Sequence, residues 1–337
     1  MYQRFFGLSK EPFAMTPDPA FLFLTAAHRE ALAGLSYAVL GGKGFVVLTG
    51  DAGTGKTTLL TKMLRSIPAS RATFSVVLNP TLSPDEFLEL ALLDFGIPNV
   101  PASKAQRLVL LREFLTEARA QGKSAVLVVD EAHRLAPPVL EEIRLLSNFE
   151  RADAKLLQIV MAGQNELASL LNRDDLRQLK QRVAVRLNLH ALSAADVEHY
   201  IEYRWTKAGA TQPHPFSPPA VAHIAEWSTG IPRLVNVLCD NALMVAFGEG
   251  VSVVTPSHVA EVAADLDLRA PGRNGRNPIA VETLGGTRRG TGAAPGATPP
   301  VATFPTIERY APETARPSRL TRWAAKLGLG ETKAQPI

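Results

Sequence analysis

Gly50-Asp51-Ala52-Gly53-Thr54-Gly55-Lys56-Thr57 decides the fold of this chain. It fits the pattern GxxxxGK[ST], and its flanks fit too. Residues 45–49 are a short apolar run that reads as a buried strand, and a helix is expected from about residue 56. In such a loop successive backbone N–H groups and a helix N-terminus face an anion, and the glycines let phosphate approach the backbone. The expected ligand is a nucleoside triphosphate. The Lys56 ammonium reaches its β- and γ-phosphates, the Thr57 hydroxyl ligates Mg²⁺, and Thr58 completes the phosphate-binding set.

Further along, Val126-Leu127-Val128-Val129-Asp130-Glu131 reads as the second half of such a site. The apolar residues bury a strand, and Asp130 emerges at its carboxyl end, where ligands sit in open α/β sheets. Asp130 is the expected Mg²⁺ partner, directly or through water. Glu131 is the expected general base for an attacking water. Kinases with this loop need no such glutamate, so the pair points to hydrolysis. The reading places this strand beside the strand of the phosphate loop.

Around these motifs apolar runs alternate with helical patterns. Strands are expected at 45–49, 74–78, 125–129, 156–161 and 183–189, and helices at 26–40, 83–95, 103–121 and 137–148. That alternation means an α/β fold: a P-loop three-layer sandwich with a mostly parallel five-stranded sheet. Beyond residue 193 the strand signal fades. Helices at 194–208, 218–228, 232–247 and 256–266 give a small all-helical domain, the last three with proline in the first turn. The first 25 residues read as irregular, broken by Pro12, Pro17 and Pro19.

The 337 residues are 46% hydrophobic and 20% charged, as in a soluble globular protein of about two domains. Residues 270–337 hold nine Pro and nine Gly, and from Arg269 onward 11 Lys+Arg face four Asp+Glu. The preceding residues hold 25 basic and 28 acidic side chains, so the formal charge of +4 belongs to the C-terminal stretch. The expected organisation is a nucleotide-binding domain over 1–192, a helical lid over 193–268 and a disordered basic tail over 269–337. The single cysteine, Cys239, excludes an intramolecular disulfide framework and suits a reducing cytoplasm. No run reaches the ~18 apolar residues of a membrane span. One Cys and seven scattered His form no closed zinc site, and no GxSxG is found.

Loop, acidic pair, later strand and helical part together resemble an AAA+ ATPase. Asp130-Glu131-Ala132-His133 is similar to the DEAH-type sequence of the branch shared with origin-recognition ATPases. More narrowly, residues 1–268 resemble the ATPase domain of the general secretion pathway protein A family. The segments that carry this start with Phe6-Gly7-Leu8, Glu11-Pro12-Phe13 and Pro17-Asp18-Pro19. They continue with Gly163-Gln164-Asn165-Glu166-Leu167, Leu179-Lys180-Gln181-Arg182-Val183 and Gly230-Ile231-Pro232-Arg233-Leu234-Val235-Asn236. Transposition-helper ATPases of the same branch resemble the chain more loosely.

The resemblance implies ATP and Mg²⁺ as ligands, an AAA+ lid, and further roles. Gln164, or Asn165 beside it, would orient the lytic water as sensor 1. Arg182, with Arg177 and Arg186 as alternatives, would be an arginine finger reaching the γ-phosphate of a neighbouring subunit. Arg233 would close the lid on the γ-phosphate as sensor 2, and Asn79 would either restrain Glu131 or simply cap the turn after its strand. Phe23 and His28 lie in the segment that lines the adenine pocket, although a lone histidine reads more simply as a core residue. The implied assembly is a homo-oligomer that drives assembly or remodelling of a secretion or envelope export system. The alternative is a regulatory ATPase assembling on duplex DNA. The basic tail, with Trp323 among Arg319, Arg322 and Lys326, is expected to contact an anionic surface. That surface is DNA or the inner membrane, where a cytoplasmic protein would sit peripherally.

Overall fold

The computed structural model describes residues 2–268, except Pro17, Asn79, Pro80, Ala152 and Asp153. The tail with Trp323 and the role expected of Asn79 lie outside the described residues. Strands β1 (Phe45–Gly50), β2 (Ala72–Val77), β3 (Ser124–Val129), β4 (Leu157–Ala162) and β5 (Val183–Leu189) form one parallel sheet in the order β2-β3-β4-β1-β5. The expected five-stranded α/β sheet is therefore present, with one correction. The strand carrying Asp130 is not beside the loop strand, because β4 lies between them. Alternation along the sequence reveals the number of strands but not their lateral order.

The strands' side chains alternate between two cores, as a period of two requires. Phe45, Val47, Leu127, Val129, Ile159 and Met161 pack against helices α3 (Pro84–Phe95), α4 (Lys104–Ala120) and α5 (Pro137–Leu146). Val46, Leu48, Val126, Val128 and Val160 face α1 (Ala26–Leu40) and α2 (Lys56–Ser66). These are the three layers. Only β5, at the edge, alternates in exposure along its length. Helix α3 starts at a reciprocal cap between Ser83 and Glu86 with Pro84 in its first turn, and stops at left-handed Gly96. Two short helices, α6 (Asn165–Leu171) and α7 (Arg177–Gln181), join β4 to β5.

Helices α8 (Ala194–Lys207), α9 (Pro218–Ser228), α10 (Pro232–Glu249) and α11 (Pro256–Asp265) build a third core around Trp205, Val235, Leu238 and Leu243. Tyr2, Leu8, Phe13 and Phe21 are buried in that same core. The N-terminal segment, read from sequence with the sheet, thus packs as a strap on the helical part. Arg204 of α8 anchors it: Nε donates to the Pro12 carbonyl, and the guanidinium lies 5.1 Å from the centre of the Phe21 ring.

Sheet and helices meet at Gly230, whose φ of 73° favours glycine. A Cβ there would run into the Leu192 carbonyl, and the Leu192 N–H donates to the Gly230 carbonyl at 2.8 Å. Gly230→Ala should lower unfolding stability by at least about 1–3 kcal/mol, the cost of a strained left-handed residue, to which the clash with the Leu192 carbonyl adds. Urea titration followed by tryptophan fluorescence checks this; a midpoint equal to wild type would refute it.

Candidate functional site

The phosphate loop leaves β1 and turns into α2 through Gly55, an N-cap with a φ of 95° and no side-chain cap. The first-turn N–H groups of Lys56, Thr57 and Thr58 therefore stay uncapped by any side chain. Inside the loop, buried Thr54 donates its hydroxyl to the Asp51 carbonyl at 2.9 Å. Ala52 is exposed. Gly53 has a φ of 80°, and a Cβ on it would stand 2.8 Å from the Cβ of Arg233 and 3.0 Å from Ile231. The bare backbone lets the start of α10 close on the loop, and the Arg233 N–H donates to the Gly53 carbonyl at 3.4 Å.

Lys56 is 5% exposed, and its ammonium donates to the Gly50 and Asp51 carbonyls, each at 2.8 Å. Burial lowers its pKa; the carboxylates of Glu131, Asp130 and Asp51 oppose that shift. Asp130 is 4% exposed. Its Oδ2 accepts the Thr57 hydroxyl at 2.7 Å and its Oδ1 the Glu131 N–H at 2.9 Å. Burial raises the Asp130 pKa, and the bond from Thr57 pulls it back. A hydroxyl and a carboxylate in contact at the uncapped end of a helix are the hard oxygen donors that suit Mg²⁺, so the residues present fit that ion.

Glu131 adopts a left-handed backbone, φ 54° and ψ 31°, rare for a residue with a side chain. Its Oε2 lies 3.6 Å from Nε2 of His133. Nδ1 of His133 accepts the Gln164 N–H at 3.3 Å. Gln164 sits beyond the end of β4, as the N-cap of α6, and its side chain makes no cap bond. The next residue is engaged: the Asn165 amide donates to Oδ1 of Asp51 at 2.6 Å. The turn after β4 therefore joins the loop on one side and the acidic pair on the other.

His28, expected as a core residue, is buried and also braces the loop. Its Nε2 is 3.2 Å from the Thr54 carbonyl and its Nδ1 2.7 Å from Oγ1 of Thr25. A carbonyl only accepts, so Nε2 carries the hydrogen and Nδ1 accepts the Thr25 hydroxyl. Phe23 packs against Tyr200 and Tyr203 of α8. Arg182 caps α7, and the next residue, Val183, pairs with Phe45 at the start of β1. The length of β1, roughly 17 Å, separates it from the loop of its own chain. Arg177 and Arg186 are exposed. Of the sequence-derived site residues, the structure brings together Lys56, Thr57, Asp130, Glu131, Gln164 and Arg233, and leaves Arg182 apart. The roles of His133 and Asp51 in tying the site together were missed. Only the position of His133 after the acidic pair signalled it.

Residues 39–171 match the family model described as AAA domain. The chain is 41% identical over 267 residues to general secretion pathway protein A of Aeromonas hydrophila, covering 79% of this chain and 48% of that protein. It is 25% identical over 260 residues to the ATP-dependent target DNA activator B of Escherichia phage Mu, 76% of each chain. The Aeropyrum pernix ORC2 protein, solved as ADPNP–ADP complexes, superposes with a TM-score of 0.58 at 17% identity, over 76% of this chain and 72% of that one. That likeness is one of fold. The chain spans about half the length of the secretion relative.

Burial depresses the His28 pKa. The neutral ring thus contributes stability that is present above the unfolded value of about 6.5 and lost as pH falls through the lower folded value. His28→Gln should flatten the fall in melting temperature between about pH 7 and pH 5. Parallel slopes in thermal melts of the two proteins would count against the assignment.

Proposed function

Residues 39–171 match an AAA domain, and we propose that this chain is an AAA+ ATPase that binds ATP with Mg²⁺ and hydrolyses it at a contact between subunits. The contact that carries the proposal is the 2.7 Å bond from Thr57 to Asp130, which joins two motifs 73 residues apart at the mouth of the loop. In this reading the loop N–H groups and Lys56 hold the phosphates, and Thr57 and Asp130 would hold Mg²⁺. The metal, when bound, offsets negative charge on the transferred phosphoryl group. Glu131 accepts the proton of the attacking water, and the Gln164 amide, left open while Asp51 engages Asn165, orients that water. Arg233 reports the γ-phosphate to the helical part. Arg182 is too far along β1 to serve its own loop, which supports a role in the site of a neighbouring copy.

The driven process we propose is assembly or remodelling of a secretion or envelope export system, supported by the 41% identity to a secretion relative. Residues 1–192 would act as the nucleotide-binding unit, 193–268 as the lid, and the basic tail as a contact to an anionic surface. No helix among the described residues is long and apolar enough to cross a membrane. We place the protein on the cytoplasmic side, peripheral at the inner membrane. A second reading, a regulatory ATPase on duplex DNA, is supported by the likeness to the phage DNA activator at lower identity. ATP turnover measured with and without duplex DNA over a salt series separates the two. Stimulation by DNA that fades with salt would favour the second.

Lys56→Ala should abolish binding of a fluorescent ATP analogue. Glu131→Gln should keep that binding and lose phosphate release by at least ~100-fold. Wild-type turnover in Glu131→Gln would remove the base from the mechanism. Specific activity should also rise with protein concentration, and Arg182→Ala should lose turnover at unchanged ATP affinity. Mixing Arg182→Ala with Glu131→Gln should restore part of the rate, since one mixed interface holds both groups. A rate independent of concentration, with normal Arg182→Ala turnover, would sink the shared site.

A further inference from the structure

Two contacts of His133 are absorbed by neither motif. Nδ1 accepts a backbone N–H, so it carries no hydrogen, and the neutral ring must hold its proton on Nε2. That N–H faces Oε2 of Glu131 at 3.6 Å. The His133 side chain is 11% exposed and the Glu131 side chain 40%, so a fixed ring meets a carboxylate free to rotate. The turn beneath has no slack. A Cβ on Gly163 would come within 3.1 Å of both the His133 backbone nitrogen and the Leu167 side chain.

We propose that His133 is a positioning residue that ties the Glu131 carboxylate to the turn carrying Gln164, so that the base and the water-orienting turn move together. The proposal rests on the ATPase reading above. The left-handed backbone of Glu131 aims its Cβ but leaves its side-chain torsions open. At 3.6 Å the histidine contact is looser than a hydrogen bond, so it steers the carboxylate without locking it. A shift of the turn when its side chains meet a γ-phosphate then reaches the base through one rigid ring.

Two substitutions separate the ring's two ends. His133→Asn keeps an acceptor near the Nδ1 position and loses the Nε2 hydrogen; His133→Gln extends an amide hydrogen toward Glu131. His133→Asn should lower kcat roughly tenfold at unchanged KM, ATP affinity and melting temperature, and His133→Gln should recover part of it. In a Glu131→Gln background His133→Asn should cost nothing further, because its effect runs through the glutamate. A full further loss there, or a joint fall of kcat, affinity and melting temperature, would overturn the proposal. Ring ¹⁵N NMR of the full chain reads the same contact without turnover, with the His133 signal identified by its loss in His133→Asn. The expected spectrum shows the Nε2–H tautomer and a shift of that nitrogen in Glu131→Gln. An Nδ1–H tautomer, or a resonance indifferent to Glu131→Gln, would also overturn it. If wild type binds ATP but never hydrolyses it, the ATPase reading fails, and the spectrum still decides the contact.

Discussion

The site depends on one constraint: β4 lies between β3 and β1 in a sheet whose strands all run the same way. Parallel pairing brings three carboxyl ends to one edge. From them emerge the loop with Lys56 and Thr57, the pair Asp130-Glu131, and the turn with Gln164 and Asn165. The middle position of β4 explains the pattern of contacts. Its turn reaches the loop through Asn165 and Asp51, and reaches the acidic pair through the Gln164 N–H and His133. Were β1 and β3 adjacent, a turn after β4 could touch one of them and not both. Thr57 and Asp130 close the circuit across the mouth.

The helical part attaches to this edge through bare backbone. Gly53 in the loop and Gly230 ahead of α10 each lack the Cβ that would push the two parts apart, against Arg233 and against Leu192. The loop and the first turn of α10 are therefore in direct contact. The strap adds a second tie. Phe23 lies two residues before Thr25, the N-cap of α1 and partner of His28, and it packs edge-on and tilted against tyrosines of α8. The same short segment touches both the loop's brace and the helical core.

The loop and the acidic pair were legible because their chemistry depends on backbone freedom and on charges at fixed offsets, both of which a sequence displays. The long helices were legible by period, and the five strands mostly as short apolar runs between them. Strand order was not, since it is set by which faces pack, and Val160 and Val126 look alike in a sequence. Helices α6 and α7 span seven and five residues, less than the two turns over which a period can be seen. The strap shows no period at all. Phe13 and Phe21 are recruited by tertiary packing and by Arg204. The tie between His133, Gln164 and Glu131 joins residues that no spacing rule connects.

The balance of charge bears on why activity would need a neighbour. The carboxylates of Glu131, Asp130, Asp51 and Glu166 all bear on the buried ammonium of Lys56. A triphosphate entering that field adds further negative charge beside them. In a partly dry site such repulsion is weakly screened, so cations must come with the nucleotide or after it. On the proposed reading, a divalent ion at Thr57 and Asp130 would meet the need on one side of the phosphates. Arg233, whose backbone N–H is held to the loop at Gly53, would bring one more positive charge from α10. The far side of the γ-phosphate, where charge builds during transfer, gains nothing from Arg182 of the same chain, which lies the length of β1 away. A single chain would then bind nucleotide while lacking charge where turnover needs it, and the edge that carries Arg182 in one copy would supply it to the next.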